Sequence, residues 1–237
     1  MKLDPLLEAA PVDSDLSWIV DGVQPFEAGV VGTLVPVRFE AYGRILHPAW
    51  RARDTPVRWD AVAAWSGRTV HSLAEFVQVA SPVGGASAPA PFDQPPIDGA
   101  LPLTTLNVLK DVLLGDTATP NEWFAGIWEG FGWMDPEDVR APRLRLPQRT
   151  HLVFRGDADL LDHVGWIGFD GRVIHEAPSV IWPADRAWFV ATDVDLESTY
   201  VGGSEALIRA LIAAPGLEAW RASATDSITV GSDTINR

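Results

Sequence analysis

The chain has 237 residues, of which 47% are hydrophobic and 21% are charged, and these are ordinary values for a globular protein. A formal net charge of −14 argues against binding to nucleic acid or to an anionic membrane, and it is compatible with a basic protein partner. The absence of cysteine excludes disulfides and thiolate metal sites. We find no secretory leader and no run of 18 apolar residues, so we expect a cytoplasmic protein without a membrane span.

The first elements in chain order are a predicted helix over residues 3–10 and a predicted strand over 17–23. Residues 35–46 alternate between apolar and polar side chains, which predicts a strand with one face in solvent. The alternation places four side chains on the solvent face: Arg38, Glu40, Tyr42 and Arg44. His47-Pro48 ends this strand.

Helical periodicity and capping residues predict three helices, over residues 57–65, 73–79 and 103–114. Thr55 followed by Pro56 indicates the start of the first of them. Residues 81–102 are rich in proline, glycine and alanine, and we expect a disordered loop there.

The next region is predicted to be mostly strand. We expect strands over four segments and a short helix in a fifth: strands at 122–133, 143–146, 151–154 and 166–174, and the helix at 158–164. The last strand segment contains Asp170-Gly171, a dipeptide that is typical of a hairpin turn.

The clearest local pattern lies within residues 181–214. A strand over 187–194 is apolar at first and ends in carboxylates at Asp193 and Asp195. A helix follows, with Ser204 as its N-cap and one apolar face, and Pro215-Gly216 ends it. We expect a final short strand over 217–222 and a disordered polar tail over 223–237.

Strands and short helices are mixed without regular alternation, which favours an α+β fold with a mostly antiparallel sheet and short helices packed on it. We expect one domain over residues 1–222, interrupted by the loop at 81–102. The spacing of the five histidines matches no zinc motif, and no nucleophile elbow, P-loop or dinucleotide motif occurs. We therefore expect no metal site and no cofactor.

Two functional hypotheses remain. In the first, the chain is a non-enzymatic binding module that presents tryptophans and carboxylates to a basic protein partner. The interface candidates are Trp123, Trp128, Trp133, Asp193 and Asp195.

In the second hypothesis, the chain is a small-molecule enzyme or binder. Arg44 and the helix N-terminus at Gly202, Gly203 and Ser204 form an anion site. Tyr42 and Tyr200 are further ligand-binding candidates, and Glu40 or His47 moves a proton. Purely structural roles compete with both hypotheses: a solvated strand end, a cross-strand ion pair and core tryptophans.

Three sequence blocks carry a resemblance to a known group of proteins. They are FEAYGRILHPAW at 39–50, EWFAGIWEGFGW at 122–133 and SVIWPADRAWFVATDVDLESTYVGGSEALIRAL at 179–211. Together they resemble an actinobacterial family of proteins of unknown function, which implies a soluble intracellular protein and no particular activity. The acidic, tryptophan-rich character is also similar in type to immunity proteins of the SUKH superfamily.

Overall fold

Antiparallel strands form the frame of the structure, a computed structural model that describes residues 2–52, 54–85, 87–133, 139–167 and 173–237. The strands are β1 (Lys2–Leu3), β2 (Glu8–Ala9), β3 (Ala41–Leu46), β4 (Ala49–Arg51), β5 (Thr55–Val57), β6 (Trp123–Trp128), β7 (Arg143–Arg145), β8 (Thr150–Gly156), β9 (Gly165–Ile167), β10 (Val173–His175), β11 (Val180–Pro183), β12 (Phe189–Thr192), β13 (Ser198–Gly203) and β14 (Ala219–Ala222). The α-helices are α1 (Ser17–Val20), α2 (Trp59–Ser66), α3 (Phe76–Val79), α4 (Leu103–Leu114) and α5 (Glu205–Ala213). Short 3-10 helices lie at Phe26–Ala28, Val31–Thr33 and Ala158–His163. The predicted α+β class is confirmed.

The main sheet has the strand order β14-β3-β13-β12-β11-β6-β8-β2, and β7 also pairs with β8. Each of these pairs is antiparallel. Two small sheets, β1-β9-β10 and β4-β5, complete the strands described. In the long pair of β3 and β13, Arg44 lies opposite Tyr200 and Tyr42 lies opposite Gly202. Because side chains alternate along a strand, Tyr42, Arg44 and Tyr200 share one face of the sheet.

Both faces of the sheet are covered. Helices α4 and α5 bury Leu109, Leu113 and Ile208 against one face, because their apolar residues recur at helical spacing. The opposite face packs against the N-terminal segment and residues near 224, and a third cluster joins α2 and α3 beyond the end of β3. Burying one large aliphatic side chain contributes about 2 kcal/mol, so these faces supply much of the stability.

The helices at α2, α4 and α5 confirm the sequence prediction, and Ser204 caps α5 by accepting a hydrogen bond from the Leu207 N–H at 3.0 Å. Thr55 and Pro56 were predicted to start α2, but they lie in β5, and α2 begins after Arg58. The predicted helix over 3–10 is wrong: β1 and β2 lie there because β9 and β8 provide partners for these strands. The predicted strand over 17–23 is also wrong, since α1 lies there.

The prediction of a solvent face on residues 35–46 is wrong for two side chains. The strand begins only at residue 41, and Tyr42 and Arg44 are each 7% exposed. Long-range partners cause this burial. The Arg44 guanidinium donates to backbone carbonyls at residues 72 and 74, while strand β14 covers the free edge of β3.

Two segments predicted to be disordered make defined contacts in the structure. Within 81–102, Gln94 bridges to Trp50 and Phe92 packs edge-on against Phe76. In the tail, Asp233 and Asn236 are buried and hydrogen-bond to each other. Asn236 also exchanges hydrogen bonds with the backbone at residue 69, which ties the tail to the body of the protein.

Most of the other predicted strands are present, but strands β11 and β13 were not predicted. Strand β6 occupies the first half of the predicted strand at 122–133, β7 and β8 form the predicted pair, and β14 occupies the predicted final strand. The predicted helix at 158–164 is a 3-10 helix. The predicted hairpin turn at Asp170-Gly171 lies outside the described residues, although β9 and β10 on its two sides do pair. No helix in the described ranges is long and apolar enough to cross a membrane.

Candidate functional site

A cavity of about 240 Å³ opens beside the pair of strands β3 and β13. Arg44, Ser198 and Tyr200 come from these strands and form what we name the floor of the cavity. Four acidic side chains also line it, and we name them the rim: Glu75, Asp98, Asp195 and Glu197. Residues 227–230 and 232 of the tail close the remaining side. The cavity therefore collects segments that are far apart in the sequence.

The floor is organised by Arg44. Its Nε donates to Ser198 Oγ at 2.9 Å, and its Nη1 donates to the carbonyls of Ser72 and Ala74, both at 2.9 Å. No ion pair among the described residues includes Arg44. The guanidinium is thus hydrogen-bonded to neutral oxygens, and its positive charge also interacts with the nearby Glu197 carboxylate.

Tyr200 is the second polar group of the floor. The side chain is 4% exposed and lines the cavity, and burial raises the pKa of its hydroxyl. Within the part of the chain that the structure describes, this hydroxyl has no hydrogen-bond partner. The hydroxyl is not one of the fully enclosed polar atoms that lack a partner, so it is accessible as a contact point for a ligand in the cavity.

Two rim carboxylates have raised pKa values. Loss of hydration raises the pKa of Asp98, and the negative charge of Asp195 raises it further. Burial likewise raises the pKa of Glu197, and the hydrogen bond from the Phe76 N–H at 2.8 Å offsets this only in part. The charge of Arg44 also favours the charged form of Glu197, but burial still raises its pKa. A cation in the cavity would stabilise the charged forms of both carboxylates further.

The other two rim carboxylates have partners within the chain. Glu75 accepts hydrogen bonds from the Gly231 N–H at 2.6 Å and the Ser232 hydroxyl at 3.1 Å, so it holds the tail in place. Asp195 contacts Arg149. Asp98, in contrast, accepts no hydrogen bond and forms no ion pair with any described residue.

Apolar side chains separate the charged groups of the cavity. Val77, Leu196 and Ile228 contribute to its walls. This mixture of apolar wall and charged rim matches a ligand with an aliphatic stem and a charged head, such as a lysine or arginine side chain.

The anion site of the second hypothesis is occupied by the protein itself. The N–H of Glu205 in the first turn of α5 donates to Glu40 Oε2 at 3.1 Å, and the Ser204 hydroxyl donates to the carboxylate of Asp116 at 3.1 Å. Gly202 and Gly203 are required by packing. A Cβ on Gly202 would lie 2.5 Å from the ring of Phe39, and one on Gly203 would lie 2.5 Å from Leu207.

The remaining candidates of the second hypothesis do not meet at one place. His47 is fully buried, its Nε2 lies 2.9 Å from Thr199 Oγ1, and burial lowers its pKa to about 4. The Tyr42 hydroxyl donates to the Pro36 carbonyl at 3.1 Å, away from the cavity. Of the residues assigned to this hypothesis, only Arg44 and Tyr200 line the cavity.

The tryptophans of the first hypothesis do not form an exposed band. Trp123 is fully buried and packs edge-on against Trp188 with ring centroids 4.7 Å apart, and Trp133 is 9% exposed. Trp128 is partly buried, and the guanidinium of Arg149 lies 4.8 Å from its ring centroid.

Asp193 is paired within the chain. Arg149 donates to both of its carboxylate oxygens, through Nε at 2.8 Å and Nη2 at 2.9 Å. Burial alone would raise the pKa of Asp193, but the hydrogen bonds from Arg149 and the Asp195 N–H, together with the charge of Arg149, lower it. We name Arg149, Asp193 and Trp128 the Arg149 cluster. Its charges compensate each other, so Asp193 is not a free anion on the surface.

Sequence reasoning missed Glu75, Asp98 and Ser198 as parts of a site. Asp98 lies in a proline- and glycine-rich stretch that carries no local signal. The tail offered one signal, since Ile228 and Val230 alternate with polar residues as in an extended segment that packs on one side.

No group of three or more potential metal-ligating side chains in the described ranges is arranged to hold a metal ion. No protein-family model matches the chain, and comparison with curated proteins and with solved structures also finds no match.

Proposed function

We propose that this protein is a binding module that holds a basic side chain of a partner protein in the carboxylate-lined cavity. The observation that carries the proposal is the state of Asp98. This exposed carboxylate stands at the rim, where lost hydration and the charge of Asp195 raise its pKa, and it has no hydrogen bond or ion pair to any described residue. A bound cation would offset that repulsion.

The overall charge supports the same partner. A net charge of −14 attracts a basic protein over distances of about 10 Å at ordinary salt and raises the rate of encounter. Four rim carboxylates face one guanidinium in the cavity, so the local charge has the same sign as the whole.

The apolar walls of the cavity favour an amino-acid side chain over a bare ion as the ligand. Val77, Leu196 and Ile228 offer apolar contact to a methylene stem, and the rim offers carboxylates to its charged end. The small-molecule alternative lacks a comparable observation, since Glu40 and Asp116 already accept hydrogen bonds at its anion site.

A capped tetrapeptide with one arginine and no free carboxylate tests the proposal by calorimetric titration at low and moderate salt. We expect it to bind, and to bind more weakly as salt rises. The variant Asp98→Asn removes one rim charge and is expected to weaken binding about tenfold, the effect of one charge-assisted contact.

Asp13→Asn is the matched control, because it removes the same charge from an exposed loop that does not line the cavity. Its affinity for the peptide should equal that of the wild type. The proposal fails if the peptide does not bind, or if Asp98→Asn and Asp13→Asn bind it equally well.

A further inference from the structure

The floor of the cavity holds hydrogen-bond donors that a bound cation does not use. A guanidinium has five N–H groups. In Arg44 the Nε–H donates to Ser198 Oγ, and Nη1 donates to the carbonyls of Ser72 and Ala74. The two N–H groups of Nη2 have no partner among the residues described.

Two hydroxyls stand beside this guanidinium on the same face of the sheet. Ser198 Oγ accepts from Arg44 Nε, so its own hydrogen is available to a further acceptor. The hydroxyl of Tyr200, the Cα partner of Arg44, is accessible from the cavity and has no partner among the described residues. Three donors from adjacent positions therefore face one space.

The Arg44 guanidinium places a positive charge in the largely buried floor of the cavity. Arg44 is 7% exposed and forms no ion pair among the described residues, although the Glu197 carboxylate is close enough for its charge to interact with the guanidinium. A buried cation is stabilised by an anion that also satisfies its hydrogen bonds. A carboxylate fits because its two oxygens accept from a guanidinium and from hydroxyls at once.

We infer that the cavity binds the C-terminal residue of the partner, with its carboxylate on the floor formed by Arg44, Ser198 and Tyr200 and its basic side chain at the rim. This inference rests on the proposed function, because the rim supplies the site for the side chain. A ligand with both charges suits the cavity, since the rim would repel an anion that carried no cation.

Three capped tetrapeptides separate the inference from the proposed function. The first ends in arginine with a free carboxylate, the second is its amide, and the third ends in norleucine with a free carboxylate. Calorimetry or NMR titration measures the affinity of each. We expect the arginine acid to bind about a hundredfold more tightly than the amide, as two charge-assisted hydrogen bonds would provide.

Tyr200→Phe removes one floor hydroxyl and keeps the ring. We expect it to reduce the advantage of the acid over the amide about tenfold. Tyr42→Phe is the matched control, because it removes the only other tyrosine hydroxyl of the chain from a position outside the cavity. This variant should keep the full advantage.

The outcomes are distinct. Equal binding of the arginine acid and its amide overturns the inference and leaves the proposed function standing. An advantage that Tyr200→Phe does not reduce also overturns it, since the carboxylate would then bind elsewhere. If the norleucine acid binds as tightly as the arginine acid, or if no peptide binds, the proposed function falls and the inference falls with it.

Discussion

Asp193 and Asp98 are both acidic residues near the same end of the sheet, and the protein treats them in opposite ways. Asp193 accepts two hydrogen bonds from Arg149, which in turn stacks on Trp128, and its pKa is lowered. Asp98 has no partner among the described residues, and its pKa is raised. The charges of the Arg149 cluster are paired within the chain, whereas Asp98 forms no ion pair with any described residue.

This difference shows that a count of acidic residues does not locate a binding surface. Asp193 and Asp195 mark the most acidic local sequence, yet Arg149 reaches both of them from the turn between β7 and β8. The rim carboxylates with raised pKa values, Asp98 and Glu197, can be identified only in the folded chain. Four measurements test whether the two regions differ in this way.

The largest expected effect comes from two buried histidines, one near the floor of the cavity and one near the Arg149 cluster. Burial lowers the pKa of His47, near Arg44, and of His151, near Asp193, to about 4 from 6.5. A histidine with a lowered folded pKa stabilises fully above about 6.5, and this stabilisation is lost as the pH falls toward about 4.

Each histidine should contribute a loss on the order of 3 kcal/mol in that range, measured by urea unfolding at pH 7 and pH 4. Replacement of either one by glutamine should flatten the dependence. A free energy of unfolding that stays constant between these pH values would show that neither histidine is enclosed in the folded protein.

The second measurement removes the partner of Asp193. Arg149→Met leaves this carboxylate partly buried and unpaired, so we expect a loss of about 3 kcal/mol in the free energy of unfolding. Arg155→Met is the control, because Arg155 pairs with Glu8 on the exposed surface, and it should cost less than about 1 kcal/mol. Equal losses would mean that the Arg149 cluster is not specially compensated.

The third measurement uses the sign of the pH dependence at the rim. A carboxyl with a raised folded pKa, such as Glu197, favours folding most below its unfolded value of 4.5, and this contribution is lost as the pH rises through the folded value. Glu197→Gln keeps an oxygen that accepts from the Phe76 N–H and removes the charge.

The variant should therefore gain stability relative to the wild type at pH 7, by up to about 1 kcal/mol, and lose this gain at pH 4. Asp193→Asn should instead be less stable than the wild type at both pH values, since the lowered pKa of Asp193 stabilises the folded protein above about 3.8. Unfolding curves for both variants at pH 7 and pH 4 measure these changes in stability. If both variants gain stability at pH 7, or both lose it, the two carboxylates do not differ as described.

The smallest expected effect concerns the two tyrosines of the chain. The Tyr42 hydroxyl hydrogen-bonds to the Pro36 carbonyl, so Tyr42→Phe should cost about 1 kcal/mol in urea unfolding. Tyr200→Phe removes a hydroxyl without a described partner and should change the stability by less than about 0.5 kcal/mol. A loss at Tyr200 as large as that at Tyr42 would indicate an internal role for this hydroxyl.

Sequence patterns predicted the elements whose signals are local. The apolar face and the Ser204 cap of α5, and the apolar run at β12, depend on neighbours within a few residues. The buried face of β3 was missed because an arginine on an alternating strand normally faces water. Its burial depends on carbonyls at residues 72 and 74 and on a hydroxyl at 198.

The candidate site was predicted in part. Arg44 and Tyr200 were both selected from the sequence, and the register of β3 with β13 brings them together. The acids around them come from a loop, the start of α3 and the turn before β13, so no spacing within the chain could connect them. The anion site at Ser204 was suggested by a local motif, and distant Glu40 and Asp116 occupy it.

The most direct test of the account is the pKa of Asp98, followed by NMR of its carboxyl carbon without and with the amidated arginine peptide. In the free protein we expect a pKa above the ordinary 3.8, because of lost hydration and the nearby charge of Asp195. Saturation with the peptide should lower it. A pKa that is the same in the free and the saturated protein would contradict the claim that the rim awaits a cation.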